Sequence, residues 1–245
     1  MLALLPWLAA GAQSATSYTG LTKPTSKLAT GFLKIEDTLR KQFEAKKMVW
    51  PPSEIFVRSF KYDRQLEVWV KEKDQDKYKL FKAYRVCMQS GTIGPKRMEG
   101  DYQMPEGFYY INEFKPNSNF HLALGLNYPN ASDKVLSDTR RPGNDIYIHG
   151  GCVSTGCIAI SDKPIEELYV MATYAKDNGQ DFIPVHVYPV KYSVKKSFEY
   201  LAEATKFNQQ LQQFAVTLKA AYDYFEDKKQ LPLILINKRG EYIVN

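Results

Sequence analysis

The sequence predicts an α+β chain built on a mainly antiparallel sheet, and three observations carry that reading. Strand-like runs follow one another from Ile55 to Leu126 with only short turns or loops between them. Helical periodicity is confined to segments near the two ends and to one stretch after Ser161. Two β-branched runs, Ile146–Ile148 and Cys157–Ile160, flank a loop rich in Gly and Ser, the pattern of adjacent strands joined by a compact turn. With no helical spacers between most strands, antiparallel meanders are expected.

The elements follow in order. Residues 1–12 form an apolar run ending in small residues, too short to span a bilayer and shaped like a signal peptide, although a positive n-region is missing. Residues 13–52 read as a polar linker followed by an amphipathic helix over 28–47, with Leu28, Phe32, Ile35, Leu39 and Phe43 at helical spacing, ended by Trp50-Pro51-Pro52. Residues 53–192 hold the strand pattern: 55–60, 66–70, 78–87, 108–114, 120–126 and 182–187. Ser161-Asp162-Lys163-Pro164 opens a helix that Gly179 stops. Residues 193–245 form an extension: a helical pattern over 193–228, as one helix or two, then a hairpin turned by Lys238-Arg239-Gly240.

Composition bounds the function. The chain has 245 residues, 44% hydrophobic and 13% aromatic, enough for a full-sized core without large-scale disorder. No segment after the N-terminus is long and apolar enough to be a transmembrane helix, so the chain reads as a soluble, exported monomer of the periplasm or cell envelope. Its net charge of +6 suits an anionic neighbourhood such as a cell wall, but the basic residues are scattered and nucleic acid is not implicated. Three cysteines are too few for a disulfide scaffold, and an odd count leaves at least one thiol unpaired.

The Gly-rich loop concentrates the chemistry. If its flanking strands pair, His149 at the end of one and Cys157 at the start of the other meet at one rim. A thiol is mostly protonated near neutral pH; a neighbouring imidazole takes its proton and stabilises the thiolate. Gly156 lets the backbone approach a ligand and leaves the Cys157 amide to face an oxyanion. Two other readings stand beside this one: a buried Cys with a hydrogen-bonded His, and a zinc site of His149, Cys152 and Cys157 that lacks a fourth ligand. His121 and His186 lie in strands away from any Gly-rich turn and read as surface or satisfied residues. Cys87 reads as a buried packing residue. Tyr128 and Arg140 fall in a loop before the site and either line a substrate cleft or serve as surface turn residues. Cys152 either fills a small apolar gap or pairs with Cys157 as a reversible off state.

The stretch His149-Gly150-Gly151-Cys152-Val153-Ser154-Thr155-Gly156-Cys157-Ile158-Ala159-Ile160 resembles the signature of the YkuD-type L,D-transpeptidases, and Gly100-Asp101-Tyr102-Gln103-Met104-Pro105-Glu106-Gly107-Phe108-Tyr109 is similar to a second segment of that family in the same order. Leu126-Asn127-Tyr128-Pro129-Asn130, with the short His-to-Cys loop, resembles the YafK/DpaA-like subgroup. Two positions depart from the pattern: Thr155 stands where many members have His, and Ala159 where they have Arg.

The resemblance implies a β-sandwich of the YkuD type, no metal or organic cofactor, and peptidoglycan stem peptides as substrate. It implies that Cys157 attacks the amide carbonyl at an L-centre followed by a D-residue, giving a thioester that an amine converts to a cross-link. His149 acts as base and then acid, the carbonyl of Gly150 fixes its tautomer, the amides of Gly156 and Cys157 hold the oxyanion, and Ser154 braces the loop. The subgroup implies an alternative, hydrolysis by the same pair, cutting the stem peptide or its link to an attached envelope lipoprotein. A non-catalytic wall-binding module is the third possibility, against which the intact His149, Gly156 and Cys157 argue.

Overall fold

The computed structural model describes residues 26–245, with side chains from residue 31 onward. The signal-peptide reading of residues 1–12 and the linker that follows lie outside the described residues. The chain folds as α1 (Ser26–Ala45), β1 (Glu54–Phe60), β2 (Gln65–Lys71), β3 (Lys79–Arg85), β4 (Gly107–Ser118), β5 (His121–Leu126), α2 (Ala131–Leu136), β6 (Tyr147–His149), β7 (Ile158–Ala159), α3 (Asp162–Asp177), β8 (Ile183–Tyr188), α4 (Lys195–Thr205), α5 (Gln209–Lys228), β9 (Ile234–Ile236) and β10 (Tyr242–Val244). The α+β class is as the sequence predicts.

One sheet of eight strands, ordered β3-β2-β1-β8-β4-β5-β6-β7, organises the molecule. Its two outer strands come back together: beyond β3, Cys87 N donates to Ala159 O at 2.9 Å, and Ala159 N donates to Met88 O at 3.3 Å. The sheet therefore curls until its first and last strands are linked, which shields edges that would otherwise be open for pairing. Most neighbours are antiparallel, but β1 pairs with β8 in parallel and β6 with β7 in parallel. The strand over 182–187, the last of the predicted set, does not close the sheet at an edge. It enters the middle, between β1 and β4, because α3 carries the chain back across one face before β8 begins.

Burial on both faces of β1 shows how the layers sit. Ile55 and Val57 face the core that α1 and α3 cover, whereas Phe56 and Phe60 face α5. The alternation follows from the two-residue period of a strand. Along α1, Leu39 and Phe43 are fully buried, with the Phe43 ring stacked 4.3 Å from Phe81. On the other face, Phe225 of α5 packs 4.9 Å from both Phe56 and Trp69. Fully burying a side chain of this size contributes roughly 1.5–3 kcal/mol, so the helices of the extension are part of the same fold rather than a loose appendage.

The helical pattern over 193–228 resolves as two helices. Asn208 ends the linker between them and caps α5, its Oδ1 accepting from Leu211 N at 3.0 Å. The terminal hairpin turns at Asn237–Gly240 and docks on α2, where Ser132 Oγ donates to Gly240 O at 2.5 Å. Asn130 Nδ2 donates to the Tyr242 hydroxyl at 2.7 Å.

Candidate active site

His149 ends β6 and Cys157 immediately precedes β7, at the edge of the sheet where the outer strands meet. The parallel register pairs Ile148 with Ile158 and His149 with Ala159. Cys157 is two residues before Ala159, so it lies on the face that His149 occupies, two positions away along the ladder. A parallel pair, rather than the hairpin that the flanking runs suggest, places the two residues on neighbouring strand ends, and the loop between them must cross over those ends.

The imidazole is buried, and its Nδ1 lies 2.5 Å from the carbonyl of Gly150. A carbonyl only accepts, so Nδ1 carries the proton and Nε2 holds the lone pair of a base. Burial holds the imidazole below its ordinary 6.5, an effect the Gly150 carbonyl partly offsets. The Phe120 ring lies 4.8 Å from it. The Cys157 thiol accepts from Tyr147 N at 3.4 Å and donates to Asp145 O at 3.6 Å. Asp145 adopts a left-handed backbone, φ 55°. Burial raises the thiol above its ordinary 9.0; the Tyr147 amide and the positive charge of Lys96 pull it down, and Asp145 pushes it up. Both shifts favour the neutral forms, an imidazole and a thiol, over an imidazolium–thiolate pair.

The loop between them is pinned at four points. Ser154 Oγ donates to Cys157 O at 2.7 Å and accepts from Gly156 N at 3.2 Å. Asp162, the first residue of α3, accepts from Gly151 N at 2.8 Å. Gly156 has φ +141°, and a Cβ there would stand 3.2 Å from the carbonyl of Gln103, so the position admits little but glycine. The fourth tie is a disulfide between Cys87 and Cys152, with Cα atoms 5.7 Å apart. It joins the glycine-rich loop to the segment that follows β3.

This bond corrects three sequence readings. Cys87 is a cross-link and not a packing residue; Cys152 neither fills a gap nor pairs with Cys157; and with its sulfur in the disulfide Cys152 is no zinc ligand. Cys157 remains the free thiol of the described residues. Sequence alone gave no hint of the pairing, since the partners stand 65 residues apart and only folding makes them neighbours.

Tyr128 is buried, follows β5 and donates its hydroxyl to Pro142 O at 2.8 Å. Together with Asn130, Lys134, Ile236 and Tyr242 it lines a cavity of about 760 Å³ under the terminal hairpin, a lining that includes neither His149 nor Cys157. Arg140 is exposed in the loop before β6, its amide on Asp138 Oδ1 at 2.9 Å. His121 meets Glu166 at 2.7 Å near the surface, and His186 is buried against the Tyr188 hydroxyl at 3.0 Å. Ala159 is fully buried in the β6–β7 ladder, so the position where many YkuD proteins carry Arg offers no group to a ligand. Asp101 of the second motif accepts from the amides of Arg97, Met98 and Gln103 and from Lys96 Nζ, which shapes the loop that backs Gly156. Sequence reasoning passed over Lys96, Asp145 and Asp162 as site residues. A Lys just ahead of the Gly-Asp motif was the signal present for the first; the others act through contacts that leave no local pattern.

A curled mixed sheet carrying a Cys and a His beside a glycine-rich loop defines the class, and the YkuD L,D-transpeptidase catalytic domain matches residues 52–197. The chain belongs to that family. It is 33% identical over 195 residues to YafK of Escherichia coli K12, covering 79% of this chain and 74% of that protein, whose own assignment as an L,D-transpeptidase is provisional. The YafK of E. coli O157:H7 matches equally. Among solved structures, the helical cell shape determining protein Pgp2 of Campylobacter jejuni aligns at TM-score 0.44 and 19% identity over 75% of this chain and 73% of its own. Bd1075 of Bdellovibrio bacteriovorus aligns at 0.41 and 19% over 76% and 78%.

Proposed function

We propose that the chain is a cysteine acyltransferase that remodels peptidoglycan stem peptides through a thioester on Cys157. The observation that carries this reading is the placement of a free thiol and an Nδ1-protonated imidazole on one face of adjacent strands. On attack at the amide carbonyl between an L- and a D-residue, the thiol proton passes to His149 Nε2 as the carbon–sulfur bond forms. His149 returns that proton to the departing amine as the amide bond breaks, leaving the thioester and a neutral imidazole. An incoming amine then gives its proton to Nε2 and displaces the thiol, which is protonated again. Gly150 sets which nitrogen of His149 is basic. The Gly156 amide is engaged by Ser154 in the resting loop, so the oxyanion falls to the Cys157 amide, with Gly156 joining once Ser154 releases it.

The disulfide supports an oxidising, extracytoplasmic setting, since such bonds are rare where thiols are kept reduced. Among the described residues no helix is long and apolar enough to cross a membrane. Isolated sacculi treated with the protein and resolved by mass distinguish the outcomes. New cross-linked muropeptides, absent with Cys157→Ala, establish transfer. Trimmed stems or released wall-attached protein instead establish hydrolysis by the same thioester. No Cys157-dependent product on any stem peptide overturns the reading.

A further inference from the structure

Two loops border the Gly156-Cys157 segment, one against Gly156 and one against the thiol, and one buried cation bridges them. Lys96 is 5% exposed, although the ammonium carries a full charge that burial penalises. Its Nζ donates to Met98 O at 2.8 Å and to Asp101 Oδ1 at 2.5 Å. An ammonium has three N–H groups, and these two are its hydrogen-bond partners among the described residues. On one side, Asp101 Oδ1 also accepts from Gln103 N at 2.9 Å, and the Gln103 carbonyl backs Gly156, the neighbour of Cys157. On the other side, Lys96 lies against Gly143: a Cβ there would stand 2.9 Å from Lys96 Cε and 3.5 Å from Nζ. Gly143 leads into Asp145, whose carbonyl receives the thiol. A glycine at 143 therefore leaves the room in which the ammonium sits.

We propose that Lys96 forms an anion subsite beside Cys157, offering its third N–H to a carboxylate that the peptide substrate carries next to the scissile amide. The proposal rests on Cys157 being the nucleophile. Asp101 aims the ammonium and is itself held by three backbone amides, so the pair is a prepared donor rather than a flexible surface lysine. The positive charge of Lys96 reaches the sulfur, where it opposes the effect of Asp145.

Alkylation reads that preference without any peptidoglycan substrate. Cys157 is treated in parallel with iodoacetate and iodoacetamide at one pH, each forming the carbon–sulfur bond with loss of iodide, and the modified peptide is quantified by mass. The ratio of the two rates is compared with that of free cysteine. The wild type is expected to favour iodoacetate relative to free cysteine by roughly three- to tenfold, allowing for partial neutralisation by Asp101. Lys96→Met abolishes the preference and Lys96→Arg keeps most of it. A wild-type ratio equal to that of free cysteine overturns the subsite by itself, whether or not the Met variant folds. A preference that survives in folded Lys96→Met also overturns it. Failure of both reagents to modify Cys157 in the native protein, with modification restored on unfolding, would instead count against the nucleophile.

Discussion

Two polar groups on this sheet, one buried and one half-buried, are treated in opposite ways. Arg58, on the face covered by α5, is bound by Glu67 at 2.7 Å and by Glu226 at 2.9 Å. Its guanidinium also lies within 4.7 to 5.3 Å of the rings of Phe60, Trp69, Tyr222 and Phe225. Glu67 in turn accepts from Lys191 at 2.7 Å and from Trp69 Nε1 at 2.9 Å. Cys157, at the sheet edge, has only two long contacts to backbone atoms. The guanidinium is held between two carboxylates and packed among four aromatic rings, whereas the Cys157 thiol has weak partners that a ligand can replace.

The largest expected effect separates these roles. Cys157→Ala lowers turnover by roughly three orders of magnitude or more while the urea midpoint stays near that of the wild type. A comparable loss of stability would show that the thiol is structural.

Arg58→Met reverses the pattern. It leaves Glu67 and Glu226 without their shared cation and costs roughly 3–5 kcal/mol in urea unfolding, as expected when one member of a buried ion pair is removed. Activity per folded molecule is retained. Burial alone would raise Glu67, but Arg58, Lys191 and Trp69 more than offset it and hold its carboxyl below the ordinary 4.5. A carboxylate depressed on folding stabilises the protein above its unfolded value, so this contribution is lost as pH falls below about 4.5 through the lower folded value. The acid limb of a stability–pH curve should therefore flatten in Arg58→Met.

Removing the disulfide tests how far the site depends on its ties. Cys87→Ala with Cys152→Ala costs about 2–4 kcal/mol of stability. If the bond also holds the loop in place, kcat falls several-fold in protein that remains folded; unchanged kcat would confine the bond to stability.

The smallest effect is in pH. Because burial raises the Cys157 thiol, its alkylation by iodoacetamide should rise with pH through a midpoint above 9.0 in the free protein. A midpoint near 6 would mean an ion pair already present at rest.

The same contrast explains what the sequence revealed. Local periodicity placed α1, α3 and the terminal hairpin, and a short-range brace such as Ser154 to Gly156 could be read from neighbouring residues. His149 and Cys157 stood out because one loop carries both, and Gly150 entered through the family resemblance of that loop. The central position of β8 was hidden, since the identity of a strand's neighbours depends on how far α3 carries the chain, not on the strand's own alternation. Lys96 was only partly legible: it stands just ahead of the Gly-Asp motif, but its burial comes from two loops about 45 residues apart, which no local pattern reports.

The order of the three cysteines has a consequence for how the molecule matures. A chain delivered N-terminus first presents Cys87, then Cys152, then Cys157. An oxidant that joins thiols in their order of appearance closes the Cys87–Cys152 bond before Cys157 arrives. The correct cross-link then forms without reshuffling, and the last thiol emerges with no free partner in its own chain among the described residues.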